Sequence, residues 1–166
     1  MKSLRRFHIP GASYFVTVVT CGRRRFLLEN LDLFWHGWDT VALDAWVVLP
    51  DHFHAIVRPD PKTISQALQS FKLRFSRRYF QRHGKTTLWQ NRFWDHVIRE
   101  EMDMAAHLDY IHYNPVHHGL VSSPFDYANS SLMNWYEKGA YAQDWGVTVE
   151  DYSQWIVGEP VQEDVG

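Results

Sequence analysis

The sequence predicts an α+β domain in the order strand, helix, hairpin, helix, strand, helix. Three observations carry that prediction. Two apolar runs, at 46–49 and 55–57, flank Pro50-Asp51, which is turn chemistry, so this stretch folds as strand, tight turn, strand. Residues 14–20 (YFVTVVT) are β-branched and aromatic, the composition of a strand. Ile64, Leu68, Phe71, Phe75 and Tyr79 recur at helical spacing behind Thr63-Ile64-Ser65-Gln66, a capping-box pattern.

The 166 residues suit one domain with a real core. At 45% hydrophobic and 16% aromatic residues the chain is not of a disordered type. A single cysteine, Cys21, excludes an internal disulfide and suits a reducing cytosol, so a cytoplasmic location is expected. No apolar stretch is long enough to span a membrane. The net charge of −2 hides an asymmetry. Residues 1–99 hold 16 Lys and Arg against 7 Asp and Glu, whereas residues 100–166 hold 1 against 12. A basic front half with interleaved aromatics points to a polyanion partner. Two faces of opposite sign attracting each other would use the same charges. The expected organisation is one domain over 1–146 and an acidic tail over 147–166.

In chain order, Arg5 and Arg6 lead into a Pro10-Gly11 turn and the first strand. Cys21-Gly22 ends that strand. Arg23, Arg24 and Arg25 follow on a loop that could hold phosphates or simply be solvated. Leu28, Leu31, Phe34 and Trp35 have partial helical spacing, which predicts a short helix within 29–40. Residues 41–49 form the strand before the turn. Along the strand after it, side chains alternate, so His52, His54, Ile56 and Arg58 share one face while Phe53, Ala55 and Val57 point to the core. The two imidazoles are then roughly 6.6 Å apart at Cα and can reach one cation. Alone, the pair also fits two surface histidines on an edge strand.

The next helix carries Lys72, Arg74, Arg77, Arg78 and Arg82, with Lys85 just beyond, and no acidic residue from 64 to 85. An ordinary solvated helix face mixes signs, so this face is expected to meet nucleic acid. Gly84 ends it. Residues 88–94 (LWQNRFW) set Gln90, Asn91 and Arg92 among aromatics, a mixture that could stack on and hydrogen-bond unpaired bases or face the core. A short strand at 95–99 precedes a helix over 101–113 with acidic residues in its first turn. Met104, Leu108 and Ile111 make its apolar stripe. Tyr110 lies roughly 200° from Leu108 on the wheel, off that stripe, and Asn114 follows it at i+4. Pro115 is expected to stop the helix, and residues 124–134 to wrap the core.

The pieces RRFHIPGASYFVTVVT, LDAWVVLPDHFHAIV, LWQNRFWDHVIR, LDYIHYNPVHHGLV and the late SS with DWG resemble the REP-associated tyrosine transposases, of the single-tyrosine HUH (IS200-like) superfamily. They run from Arg5 to about Gly146, and the segment 28–40 is shorter than that family's usual first crossover helix. The resemblance implies a ferredoxin-like βαββαβ core with an antiparallel sheet and helices on one face, plus a C-terminal extension. It implies that His52, His54 and Asn114 hold Mg²⁺ or Mn²⁺ and that Tyr110 is the nucleophile. The implied activity is cleavage and rejoining of single-stranded or hairpin DNA through a 5′-phosphotyrosine, by a monomer or homodimer. A DNA-binding relative without turnover, an HUH nicking nuclease and a structural metal-site protein stay open as alternatives.

Overall fold

The computed structural model describes residues 8–38 and 40–147. Arg5, Arg6 and, apart from Val147, the acidic tail lie outside them.

Every position of strand β1 (Tyr14–Val19) is buried, so both faces of the sheet have to be covered. Two short 3-10 turns, Cys21–Arg23 and Leu28–Asn30, lead into helix α1 (Leu31–Gly37). The hairpin follows as β2 (Ala42–Val48) and β3 (His52–Arg58), then α2 (Ile64–His83), β4 (Trp94–Val97) and α3 (Glu101–His117). A further 3-10 turn, Pro124–Asp126, and α4 (Leu132–Glu137) belong to the C-terminal extension. The sheet order is β2-β3-β1-β4 with antiparallel neighbours, the ferredoxin-like arrangement. Among the described residues no helix is long and apolar enough to cross a membrane.

On one face, Tyr14, Val16 and Val18 of β1 and Phe53, Ala55 and Val57 of β3 pack against Phe34 of α1 and Leu68, Phe71 and Phe75 of α2. The two core helices thus share a face, as expected. They approach closely at Gly37, where a Cβ would come within 2.5 Å of the Phe71 ring. The capping box forms as the sequence predicts: Gln66 N–H donates to Thr63 Oγ1 and Thr63 N–H to Gln66 Oε1. The basic residues of α2 are not all unopposed, which corrects the sequence reading. Arg82 forms a two-pronged ion pair with Asp32, and Arg74 and Arg78 donate to His36, so three of them brace α1. The acceptors come from a helix 38 to 50 residues earlier, out of sight on α2 alone.

On the other face, Phe15, Ala45, Val47 and Ile56 meet Leu108, Tyr110 and Ile111 of α3. Two expectations change here. Tyr110 is buried against the sheet rather than off the buried stripe. Pro115 does not stop the helix, which runs on to His117. The proline forfeits the bond its own N–H would make and crowds the Ile111 carbonyl, yet His118 N–H still closes on Asn114 O.

The extension explains why α3 is buried on more than one side. Residues 129–131 cover the outer edge of β2: Val48 N–H donates to Asn129 O, Ser131 N–H to Trp46 O and Tyr127 Oη to Val48 O. From behind, His112 lies between Tyr141 Oη and Ser131 Oγ, 2.7 Å from each. Burial pushes its pKa down to about 3. The imidazole therefore stays neutral in the folded chain, while in the unfolded chain it titrates near 6.5. The unfolded state binds the extra proton, so His112 contributes stability above pH 6.5 and loses it as pH falls toward 3. Between pH 7.5 and 5.5, where carboxylates stay ionised, this histidine alone should cost about 1.4 kcal/mol of unfolding free energy. Urea titrations at the two pH values measure it. His112→Gln should reduce the loss by that amount, and an equal loss in both proteins would contradict the assignment.

Candidate active site

Alternation along β3 puts His52 and His54 on the α3 face of the sheet. They are 4% and 0% exposed, so they are not surface histidines. Their rings are 5.0 Å apart between centroids and nearly perpendicular. Each ring is held through Nδ1: His52 by Asp51 Oδ1 at 2.6 Å, His54 by Thr17 Oγ1 at 2.8 Å from the adjacent strand. When Nδ1–H donates in both, each Nε2 carries a lone pair, the arrangement in which carboxylates and hydroxyls orient metal-binding imidazoles. Burial, then the charges of His52, His118, Arg23 and His117, drive the His54 pKa well below its ordinary value, so this ring stays neutral.

Asp51 is fixed by the turn, its carbonyl accepting from Thr20 N–H and Oγ1. Burial pushes its carboxyl up, but the His52 hydrogen bond and Arg23, at 3.5 Å, bring it below the usual carboxylate range. Arg23 has a left-handed backbone, φ 50.

Helix α3 supplies the facing wall. The Tyr110 ring is 5.1 Å from the His54 ring and 5.7 Å from Phe15. One turn on, Asn114 is 1% exposed, and among the described residues neither its Oδ1 nor its Nδ2 has a hydrogen-bond partner. A buried primary amide without partners costs about 1–3 kcal/mol, so it calls for an explanation. Two imidazoles and one amide oxygen form a donor set that fits a divalent cation and leaves coordination positions open. The imidazoles favour somewhat softer ions than Mg²⁺. One more turn on, His118 brings its ring to 5.0 Å from His52.

The structure thus brings together His52, His54, Tyr110 and Asn114, with Arg23 beside Asp51. Three contributors escape the sequence reading. His118 continues the i, i+4 series from Tyr110 and Asn114 and was legible in that spacing. Thr17 needs the β1–β3 register, and the role of Asp51 needs the shape of the turn. Tyr113 is turned away, its ring 6.0 Å from that of Trp145 in the extension.

The remaining basic residues are not at this centre. Arg24 donates to Thr87 O and Thr86 Oγ1, and Arg25, Lys85 and Arg92 are exposed. Lys72 and Arg77, like Arg74, Arg78 and Arg82, are on α2, across the sheet from the histidine pair. His96, Asp103 and His107 form a second group whose ligand-type atoms lie within 4.8 Å of one another. There the Asp103 carboxylate already accepts from His96 Nε2 and Arg99 N–H, and its main-chain carbonyl from His107 Nδ1. These contacts tie β4 to the first turn of α3. The unsatisfied amide of Asn114 makes the His52–His54 centre the stronger candidate for a cation.

Comparison with known proteins gives three findings. The family description "Transposase IS200 like" matches residues 34–114. The chain is 34% identical over 163 residues to the REP-associated tyrosine transposase of Escherichia coli (strain K12), covering 92% of this chain and 96% of that protein. A solved structure of a REP-associated tyrosine transposase bound to a REP hairpin superposes with a TM-score of 0.79 at 32% identity, over 98% of this chain and 99% of that one.

A cation role for Asn114 makes an unusual prediction. Asn114→Leu removes the unsatisfied amide while keeping the number and branching of its heavy atoms, so the metal-free protein should gain stability, by up to about 1–3 kcal/mol in urea unfolding. The same variant should bind Mn²⁺ at least tenfold more weakly in calorimetry. Lower stability with unchanged Mn²⁺ binding would show that the amide serves packing alone.

Proposed function

The chain belongs to the REP-associated tyrosine transposases, and on that footing we propose that it cleaves and rejoins single-stranded DNA at hairpin-forming repeats, with Tyr110 as the attacking group. One observation carries this reading: a tyrosine ring 5.1 Å from the ring of buried His54, with an unsatisfied amide one helical turn further along the same face. The relative bound to a REP hairpin supports hairpin DNA as the partner.

His52, His54 and Asn114 would hold the divalent cation, expected to be Mg²⁺ or Mn²⁺. When bound it would offset phosphodiester charge and polarise the phosphorus toward attack. The other roles belong to the chain itself. Asp51 and Thr17 fix the tautomer and direction of the two imidazoles. Arg23 has a half-exposed guanidinium at the edge of the centre, suited to a non-bridging phosphate oxygen. Tyr110 is held in place by Phe15 and His54. Attack by its hydroxyl oxygen forms a tyrosine–phosphate ester and breaks the bond from phosphorus to the 3′ oxygen. The phenolic proton is made up on the departing 3′ hydroxyl. The ester conserves the bond energy, so a second 3′ hydroxyl can reverse the step on a new strand.

Arg77, Lys85 and Arg92 are exposed and suited to tracking the phosphate backbone outside the centre. Replacing all three by Gln should weaken binding to every sequence alike. It should also flatten the log–log salt dependence by roughly 0.7 per lost contact on single strands. An unchanged slope would remove this surface from the DNA path.

The choice of tyrosine is tested with an end-labelled hairpin oligonucleotide and Mn²⁺. Tyr110→Phe should bind the hairpin and form no covalent adduct, while Tyr113→Phe should still form one. A gel shift without adduct in the parent protein would favour a binder without turnover. An adduct mapped to Tyr113 would overturn the assignment.

A further inference from the structure

Across the sheet from the histidine centre, α2 and the segment 90–93 enclose an open groove of about 440 Å³. Gln69, Lys72, Leu73 and Phe80 line one wall, and Asn91 and Phe93 the other. Its volume is in the range of small-ligand sites. Residues 69, 72, 73, 76 and 80 fall on one side of α2, next to the core stripe, and among the described residues no helix packs on this second stripe, which leaves the groove open. Leu73 is 49% exposed there, a large apolar side chain that neither core claims.

The walls are fixed in advance. Lys72 Nζ donates to Gln90 O, Trp89 Nε1 to Ser76 Oγ, and Gln90 N–H to Val19 O. Segment 90–93 is thereby pinned both to α2 and to the end of β1. The chemistry inside is mixed in a particular way: apolar and aromatic surface from Leu73, Phe80 and Phe93, two primary amides from Gln69 and Asn91, and the ammonium of Lys72. Three α2 arginines, 74, 78 and 82, are turned to α1. An amide can pair with either donor or acceptor edges of a flat heterocycle, and a ring face can stack on it. The Lys72 ammonium suits the phosphate that comes with it.

We propose that this groove holds one unpaired nucleobase flanking the hairpin, with its phosphate on Lys72. The proposal rests on the DNA reading above and adds to it a base-binding pocket on the face remote from Tyr110. DNA engaged there must run round the molecule between the groove and the histidine centre, which makes the pocket a register device rather than part of the chemistry.

The test uses the full chain and a hairpin with unpaired flanks on both sides. Each flanking nucleotide in turn is made abasic, and affinity is read by fluorescence anisotropy. One position should cost the parent protein roughly tenfold, the scale of one stacked base. The variant Gln69→Ala/Asn91→Ala changes two exposed side chains. It should bind the intact hairpin about as weakly as the parent binds that abasic hairpin, and should lose less than twofold further on the abasic one. The pocket is overturned if no flanking position matters, or if the abasic penalty persists undiminished in the variant. A parent protein that binds no hairpin at all overturns the DNA reading itself, an outcome distinct from binding without base dependence.

Discussion

A strand buried on both faces has no water to satisfy its polar side chains, and β3 carries two imidazoles on one of those faces. Each must find a partner within the protein. Thr17 provides one across the β1–β3 register, and Asp51 provides the other from the turn that starts the strand. Those two bonds use Nδ1 in both rings and leave the two Nε2 atoms to define a centre. The geometry of the candidate site is thus a consequence of sheet burial. The aliphatic and aromatic residues that bury β3 also keep His54 neutral.

The second half of the site depends on how α3 is rotated. Its sheet-facing side carries Leu108 and Ile111 together with Tyr110 and, one turn on, Asn114. Apolar packing alone does not choose that rotation, because the helix is buried on more than one side. The extension fixes it from behind, where His112 bridges Tyr141 and Ser131, and Ser131 in turn bonds the backbone of β2. Tyr113 packs toward Trp145 on that rear side. Residues far from the proposed chemistry therefore decide which tyrosine meets the histidines.

Local signals in the sequence were reliable. Pro50-Asp51 gave the hairpin, Thr63 and Gln66 the helix start, and period-two alternation the face shared by His52 and His54. What sequence inspection missed was non-local. The wheel placed Tyr110 off the buried stripe because it counted only aliphatic neighbours, and the cover from residues 120–147 is invisible on a single helix. Arg82 looked unopposed because Asp32 is 50 residues away in the chain. Pro115 signals a stop, although the helix still closes a last turn through His118 N–H and Asn114 O. Asn114 was assigned by resemblance, and its unsatisfied burial is a separate physical reason that only the packed structure provides.

The proposed cation-binding centre lies where one strand and one helical face converge. Anomalous diffraction at the manganese edge from crystals grown with Mn²⁺ would locate the ion. A peak is expected bounded by Nε2 of His52, Nε2 of His54 and Oδ1 of Asn114, next to Tyr110. Strong anomalous density at His96, Asp103 and His107 instead, with none between the two β3 histidines, would contradict it.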